Sequence, residues 1–65
     1  MSSAVDAFSS KVFNYIRNEY GSATLKKVQL KKNNNVVSKV LESALRQEDT
    51  IDHAGNKVIA MLRLN

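Results

Sequence analysis

A chain of 65 residues without a single cysteine must fold on its hydrophobic core alone, because neither a disulfide nor a cysteine-bound zinc ion can reinforce it. A domain of this length buries only about 60% of the surface that its unfolded chain exposes. Hydrophobic residues make up 43% of the sequence, which is typical of a globular protein. The sequence therefore predicts one small domain with a thin margin of stability.

Several classes of function are disfavoured by the same composition. A domain this small seldom walls a substrate pocket, and one His with few acidic residues offers little for catalysis or metal binding. We therefore expect no enzyme, no cofactor, no metal and no small-molecule substrate. No apolar run approaches about 18 residues and no signal-peptide pattern opens the chain, so we expect no membrane association and an intracellular location, nucleus or cytoplasm.

Positive charge is concentrated in the middle third of the chain. Ten Lys and Arg residues against six Asp and Glu residues give a net charge of +4. Residues 26–46 carry a net charge of +5, because six cations stand there against Glu42 alone. Those cations are Lys26, Lys27, Lys31, Lys32, Lys39 and Arg46. A clustered patch is the electrostatic footprint of a protein that binds a polyanion. The competing interpretation is a solvated face that is basic for solubility alone.

The first helix is predicted over residues 4–20. Apolar residues recur there every three or four positions, which is the helical period. Ser3 and Asp6 form a pattern similar to a capping box, and Gly21 stands where a left-handed residue would end the helix.

Two further helices are predicted across the basic segment. Residues 25–32 predict a short helix that the asparagine run at 33–35 ends, because Asn favours caps and turns. Residues 35–47 predict a third helix, whose apolar face is formed by Val37, Val40, Leu41, Ala44 and Leu45.

The last segment, residues 50–64, predicts a β-hairpin. Gly55 and Asn56 are residues that tolerate the positive φ angles of a tight turn. One face of the hairpin would carry Ile51, Val58, Ala60, Leu62 and Leu64 toward the helices. Two strands alone are marginal in water, so this face must pack on the helices.

This order of elements resembles the winged-helix family. Residues 25–30 stand where its second helix lies, residues 36–45 show the V-x-x-V-L-x-x-A-L pattern of its recognition helix, and residues 50–64 stand where its hairpin, the wing, lies. The chain departs from the family in having Glu48 and Asp49 where a glycine is usual. The resemblance spans residues 4–64 and implies an α+β fold, a small winged helix of three helices followed by a C-terminal β-hairpin.

The resemblance implies binding of double-stranded DNA in a transcriptional or architectural role, with the third helix in the major groove and the wing on the flanking backbone. Lys31 and Lys32 would meet phosphates, an Asn side chain can read adenine, and Lys57 would lie at the tip of the wing near His53 and Asn56. The asparagines could equally serve only as turn and cap residues. The candidate site residues are Lys31, Lys32, Asn34, Asn35, Ser38, Lys39 and Lys57.

The alternative hypothesis is a winged-helix module for protein–protein assembly. Ile59 and Met61 would point outward from the hairpin, and apolar residues exposed on an edge strand often mark a protein contact. The chain would then form a homodimer or bind another protein through this strand face, with its basic surface meeting an acidic partner. The salt dependence of binding to DNA separates the two hypotheses.

Overall fold

All the secondary structure in residues 3–65, which the computed structural model describes, is helical. The helices are α1 (Ala4–Tyr20), α2 (Ser22–Val28), α3 (Asn34–Arg46) and α4 (Ile51–Leu62), with a 3-10 turn at Lys31–Asn33 between α2 and α3. No β-strand is present in this part of the chain. The predicted α+β fold class is therefore wrong.

α1 begins and ends at the residues that the sequence pattern indicates. The Ser3 side chain accepts a hydrogen bond from the backbone N–H of Asp6, at 3.2 Å. Gly21 ends the helix with a φ of 96°, a backbone conformation that side-chain-bearing residues rarely adopt. α2 starts at the next residue, so the chain turns sharply at this glycine.

α2 is displaced from its predicted position at residues 25–32. It begins at Ser22 and ends at Val28, because Leu30 takes an extended conformation. The side-chain amide of Asn33 then donates a hydrogen bond of 2.6 Å to the carbonyl of Lys27, one of the carbonyls left without a helical partner where α2 ends. α3 lies within one residue of the predicted range 35–47.

The predicted hairpin at residues 50–64 is replaced by α4. Thr50 has an extended backbone and its hydroxyl accepts a hydrogen bond from the N–H of His53, so it caps a helix. Inward-facing residues then recur at helical spacing: Ile51, Ala54, Gly55, Val58, Ile59 and Leu62. Gly55 and Asn56 lie inside α4 and form no turn.

α1 lies at the centre of the fold and packs against α2, α3 and α4. The buried core consists of Val12, Ile16, Val28, Val37, Leu41, Ala44, Ala54, Val58 and Ile59. Each Val, Leu or Ile buried there contributes roughly 1.5–3 kcal/mol. α2 packs mainly on α1 and makes few or no contacts with α3, so the second and third helices do not pack against each other as a pair.

Candidate nucleic-acid interface

Four exposed lysines meet where α2 ends and the 3-10 turn begins. Lys26 and Lys27 lie in the last turn of α2, and Lys31 and Lys32 lie in the 3-10 turn. We call these four residues the basic corner. The hydrogen bond from Asn33 to the Lys27 carbonyl ties the two short elements together. The backbone therefore holds the four cations close to one another.

A cleft lies beside the basic corner and joins it to the end of α4. It has a volume of about 300 Å³ and is lined by Lys27, Leu30, Lys32, Asn33, Leu62 and Leu64. The end of α4 thus meets the corner through Leu62, and Leu64 follows it into the same cleft. No carboxylate lines this cleft.

The charges of the basic corner are not neutralised within the fold. Among residues 3–65, the single ion pair joins Lys57 to Asp49. No carboxylate therefore lies within 4.0 Å of the amino groups of the corner, and their potential extends into solvent.

The outer face of α3 continues the positive surface for part of its length. Asn35 and Lys39 are exposed and stand one helical turn apart, directly after the 3-10 turn. Arg46 lies on the same outer side near the end of α3, but the exposed Glu42 lies between Lys39 and Arg46. The surface suited to a polyanion is therefore the basic corner with Asn35 and Lys39.

Two of the predicted site residues lie elsewhere. Asn34 and Ser38 line a separate cleft of about 350 Å³ between α1 and α3, together with Asp6 and Glu42. These carboxylates would repel a phosphate. Lys31, Lys32, Asn35 and Lys39 line none of this cleft, whereas Asn34 and Ser38 stand beside its carboxylates.

The residues assigned to the wing have other places in the fold. Lys57 lies in the middle of α4 and pairs with Asp49, so its predicted position at a wing tip is wrong. Asn56 lies beside it in sequence, and its side-chain oxygen accepts hydrogen bonds from the hydroxyls of Tyr15, at 3.1 Å, and Tyr20, at 2.8 Å. This contact joins α1 to α4. His53 is exposed in the first turn of α4.

The predicted strand face of Ile59 and Met61 does not exist. Ile59 is 1% exposed and belongs to the core, whereas Met61 is 62% exposed. The two residues point to different sides because two positions in a helix are separated by about 200°. Met61 alone remains available for contact with another molecule.

Sequence reasoning counted Lys26 and Lys27 in the basic segment but left them out of the candidate site residues. The sequence signal that could have pointed to this surface was Leu30, an apolar residue in the middle of the basic run. Its side chain is 46% exposed in the structure. The meeting of Leu62 and Leu64 with Lys27 and Lys32 at one cleft depends on α4 being a helix, which the hairpin prediction excluded.

Within residues 3–65 no cluster of His, Cys, Asp and Glu side chains is arranged to hold a metal ion. In the same residues no helix combines the length and the apolar character needed to cross a bilayer. The chain matches no protein-family model, and its comparison with curated proteins and with solved structures yields no match.

Proposed function

We propose that this protein binds double-stranded nucleic acid through the basic corner, Asn35 and Lys39. The observation that carries this proposal is the convergence of four exposed lysines at one corner with no carboxylate to neutralise them. A duplex presents a regular array of phosphates, and lysines that neutralise them release counterions and gain affinity. We expect the duplex to be DNA. Because DNA is an intracellular ligand, we also expect an intracellular location.

The side chains available favour contact with the backbone of a duplex over reading of a single strand. Proteins that bind single strands stack bases on exposed aromatic rings. The four aromatic residues here, Phe8, Phe13, Tyr15 and Tyr20, all pack against the core. Asn35 is the one amide side chain on this surface and so the one suited to reading adenine, and the remaining contacts are lysines suited to phosphates, so sequence preference should be weak.

The proposal is tested by replacing three lysines of the basic corner. Lys27→Ala, Lys31→Ala and Lys32→Ala together should lower the affinity for a random-sequence DNA duplex in a fluorescence anisotropy titration. If each lysine meets one phosphate, the slope of log affinity against log salt should become shallower by about 2 to 3. All three side chains are exposed, so the fold should persist, which circular dichroism verifies.

A second triple variant controls for total charge. Lys11→Ala, Arg17→Ala and Lys57→Ala removes the same number of cations from exposed positions outside the basic corner. This variant should retain most of the affinity and the salt slope of the wild type. Equal losses in both variants would show that only net charge matters, and unchanged binding by the first variant would refute the proposal.

A further inference from the structure

A second surface, on the far side of α3 from the α1/α3 cleft, is apolar. α3 and α4 pack against each other, and between them lies a groove of about 370 Å³ that is open to solvent. We call it the α3/α4 groove. Its uncharged lining residues are Val40, Ser43, Ala44, Ala60 and Met61. Three of these have small side chains, which lets another backbone approach closely.

One exposed large hydrophobic residue lines this groove, and a second lies close to it on α3. Three large hydrophobic residues in the described chain are exposed, namely Leu30, Val36 and Met61. Met61 forms a wall of the groove, and Val36 lies one helical turn before Val40 on α3. Apolar surface gathered around a groove in this way marks a site of protein contact.

The groove lies between two helices of similar length. α3 has 13 residues and α4 has 12, and the lining of the groove covers residues 39–44 of the first and 57–61 of the second, roughly 6–9 Å of each at 1.5 Å per residue. Both helices pack on α1 on their inner side, whereas the groove faces outward. A third helix lying between them would cover Met61 and Val40 and complete a helical layer, which is the helix-in-groove mode of recognition.

The charges beside the groove select an acidic occupant. Its only charged lining residues are Lys39 and Lys57. Lys39 has no ion-pair partner among the described residues, and Lys57 remains half exposed although it pairs with Asp49. A second copy of this chain would bring its own Lys39 to the contact and carries a net charge of +4, so like charges oppose a symmetric dimer.

We propose that the α3/α4 groove docks an acidic amphipathic helix of another protein. The apolar stripe of that helix would lie on Val40, Ala60 and Met61, and its carboxylates would meet Lys39 and Lys57 at the two edges. This inference does not rest on nucleic-acid binding, because the groove shares only Lys39 with the surface proposed for the duplex and contains none of the four lysines of the basic corner.

The test uses a synthetic peptide of about 14 residues, roughly 21 Å of helix, with Leu at positions i, i+3, i+4 and i+7 and Glu elsewhere. The wild-type protein should bind this peptide in a calorimetric titration, and should bind a control peptide with Lys in place of Glu at least about tenfold more weakly. Met61→Ser should weaken binding of the acidic peptide about tenfold, the loss of a central apolar contact. Lys39→Glu should abolish most of the preference between the two peptides, because one charge of each sign would then line the groove.

Leu30→Ser is the matched control, because it removes a comparably exposed apolar residue outside the groove. It should leave peptide binding unchanged, as should the triple variant of Lys27, Lys31 and Lys32. Absence of binding, equal binding of both peptides, or an equal loss in Leu30→Ser would overturn the proposal. Sedimentation showing a wild-type dimer that Met61→Ser dissociates would assign the groove to a second copy and would also overturn it.

Discussion

Gly55 sets the closest approach between α1 and α4. A Cβ atom built at this position would lie 2.5 Å from Cδ2 and 2.9 Å from Cε2 of Tyr15. The Tyr15 ring is held in place because its hydroxyl donates a hydrogen bond to the Asn56 side chain. Glycine inside a helix costs about 1 kcal/mol relative to alanine. The fold accepts this cost so that the two helices can pack closely.

Gly55→Ala should therefore destabilise the protein, although alanine is the better helix former. Overpacking of a tight core contact costs about 1–3 kcal/mol, and we expect a lower free energy of unfolding in urea denaturation. In a Tyr15→Leu background, where the ring is gone, the same substitution should cost less or become stabilising. An increase in stability in the wild-type background would show that α1 and α4 do not meet at this residue.

Thr50 determines where α4 begins. Its hydroxyl accepts a hydrogen bond from the N–H of His53, and Asp52 stands in the first turn. The side-chain hydrogen bond with Thr50 lowers the pKa of Asp52 below its ordinary value of 3.8, with smaller contributions from backbone N–H groups and from His53. Because the pKa is depressed in the folded state, the stabilisation from ionised Asp52 is fully present above pH 3.8 and is lost as the pH falls through the lower folded pKa.

Thr50→Ala should raise the pKa of Asp52 toward its ordinary value, measured by NMR titration of the side-chain carboxyl. The same variant should lose about 1 kcal/mol of stability at neutral pH, the usual cost of removing an N-cap. Thr24→Ala, in α2 and away from this cap, serves as the control and should leave the Asp52 titration unchanged. An unaltered Asp52 pKa in Thr50→Ala would contradict the cap.

Residues 50–64 show why one element was mispredicted while α1 and α3 could be predicted from the sequence. The later apolar residues alternate at 58, 60, 62 and 64, as in a strand, and Gly55 next to Asn56 is a common hairpin signal. The helical period at 51, 54, 55, 58, 59 and 62 is visible only if Gly55 is counted as an inward-facing residue. The reason for that glycine is Tyr15, which lies on another helix and leaves no local signal.

The C-terminal end of α3 does not indicate whether a strand or a helix follows it. Glu48 stands where a glycine is usual in the winged-helix family, which the sequence order resembles. Its backbone adopts a left-handed φ of 56°. The backbone N–H groups of Glu48 and Asp49 donate hydrogen bonds to the carbonyls of Leu45 and Ala44, which closes the helix. Such a closure can precede either a strand or a helix, so it did not distinguish the two.

For the whole molecule, sequence could identify the cations but not the surfaces to which they belong. Residues 31–39 form one short run, yet the fold sends Lys31 and Lys32 to the basic corner and Asn34 and Ser38 to a cleft that contains two carboxylates. Lys39 stands between the basic corner and the α3/α4 groove. This division follows from the packing of α3 on both α1 and α4, which involves residues distant in sequence.

An NMR titration of the isotope-labelled protein with a random-sequence DNA duplex at low salt would locate the residues that the duplex contacts. If the basic corner contacts the phosphates, the largest backbone amide shifts should fall on residues 26–35 and on Lys39, and they should disappear as salt is raised. Residues of α1 and the first turn of α4 should move little. Shifts centred on α1 or on the start of α4, or no shifts at low salt, would contradict the claim.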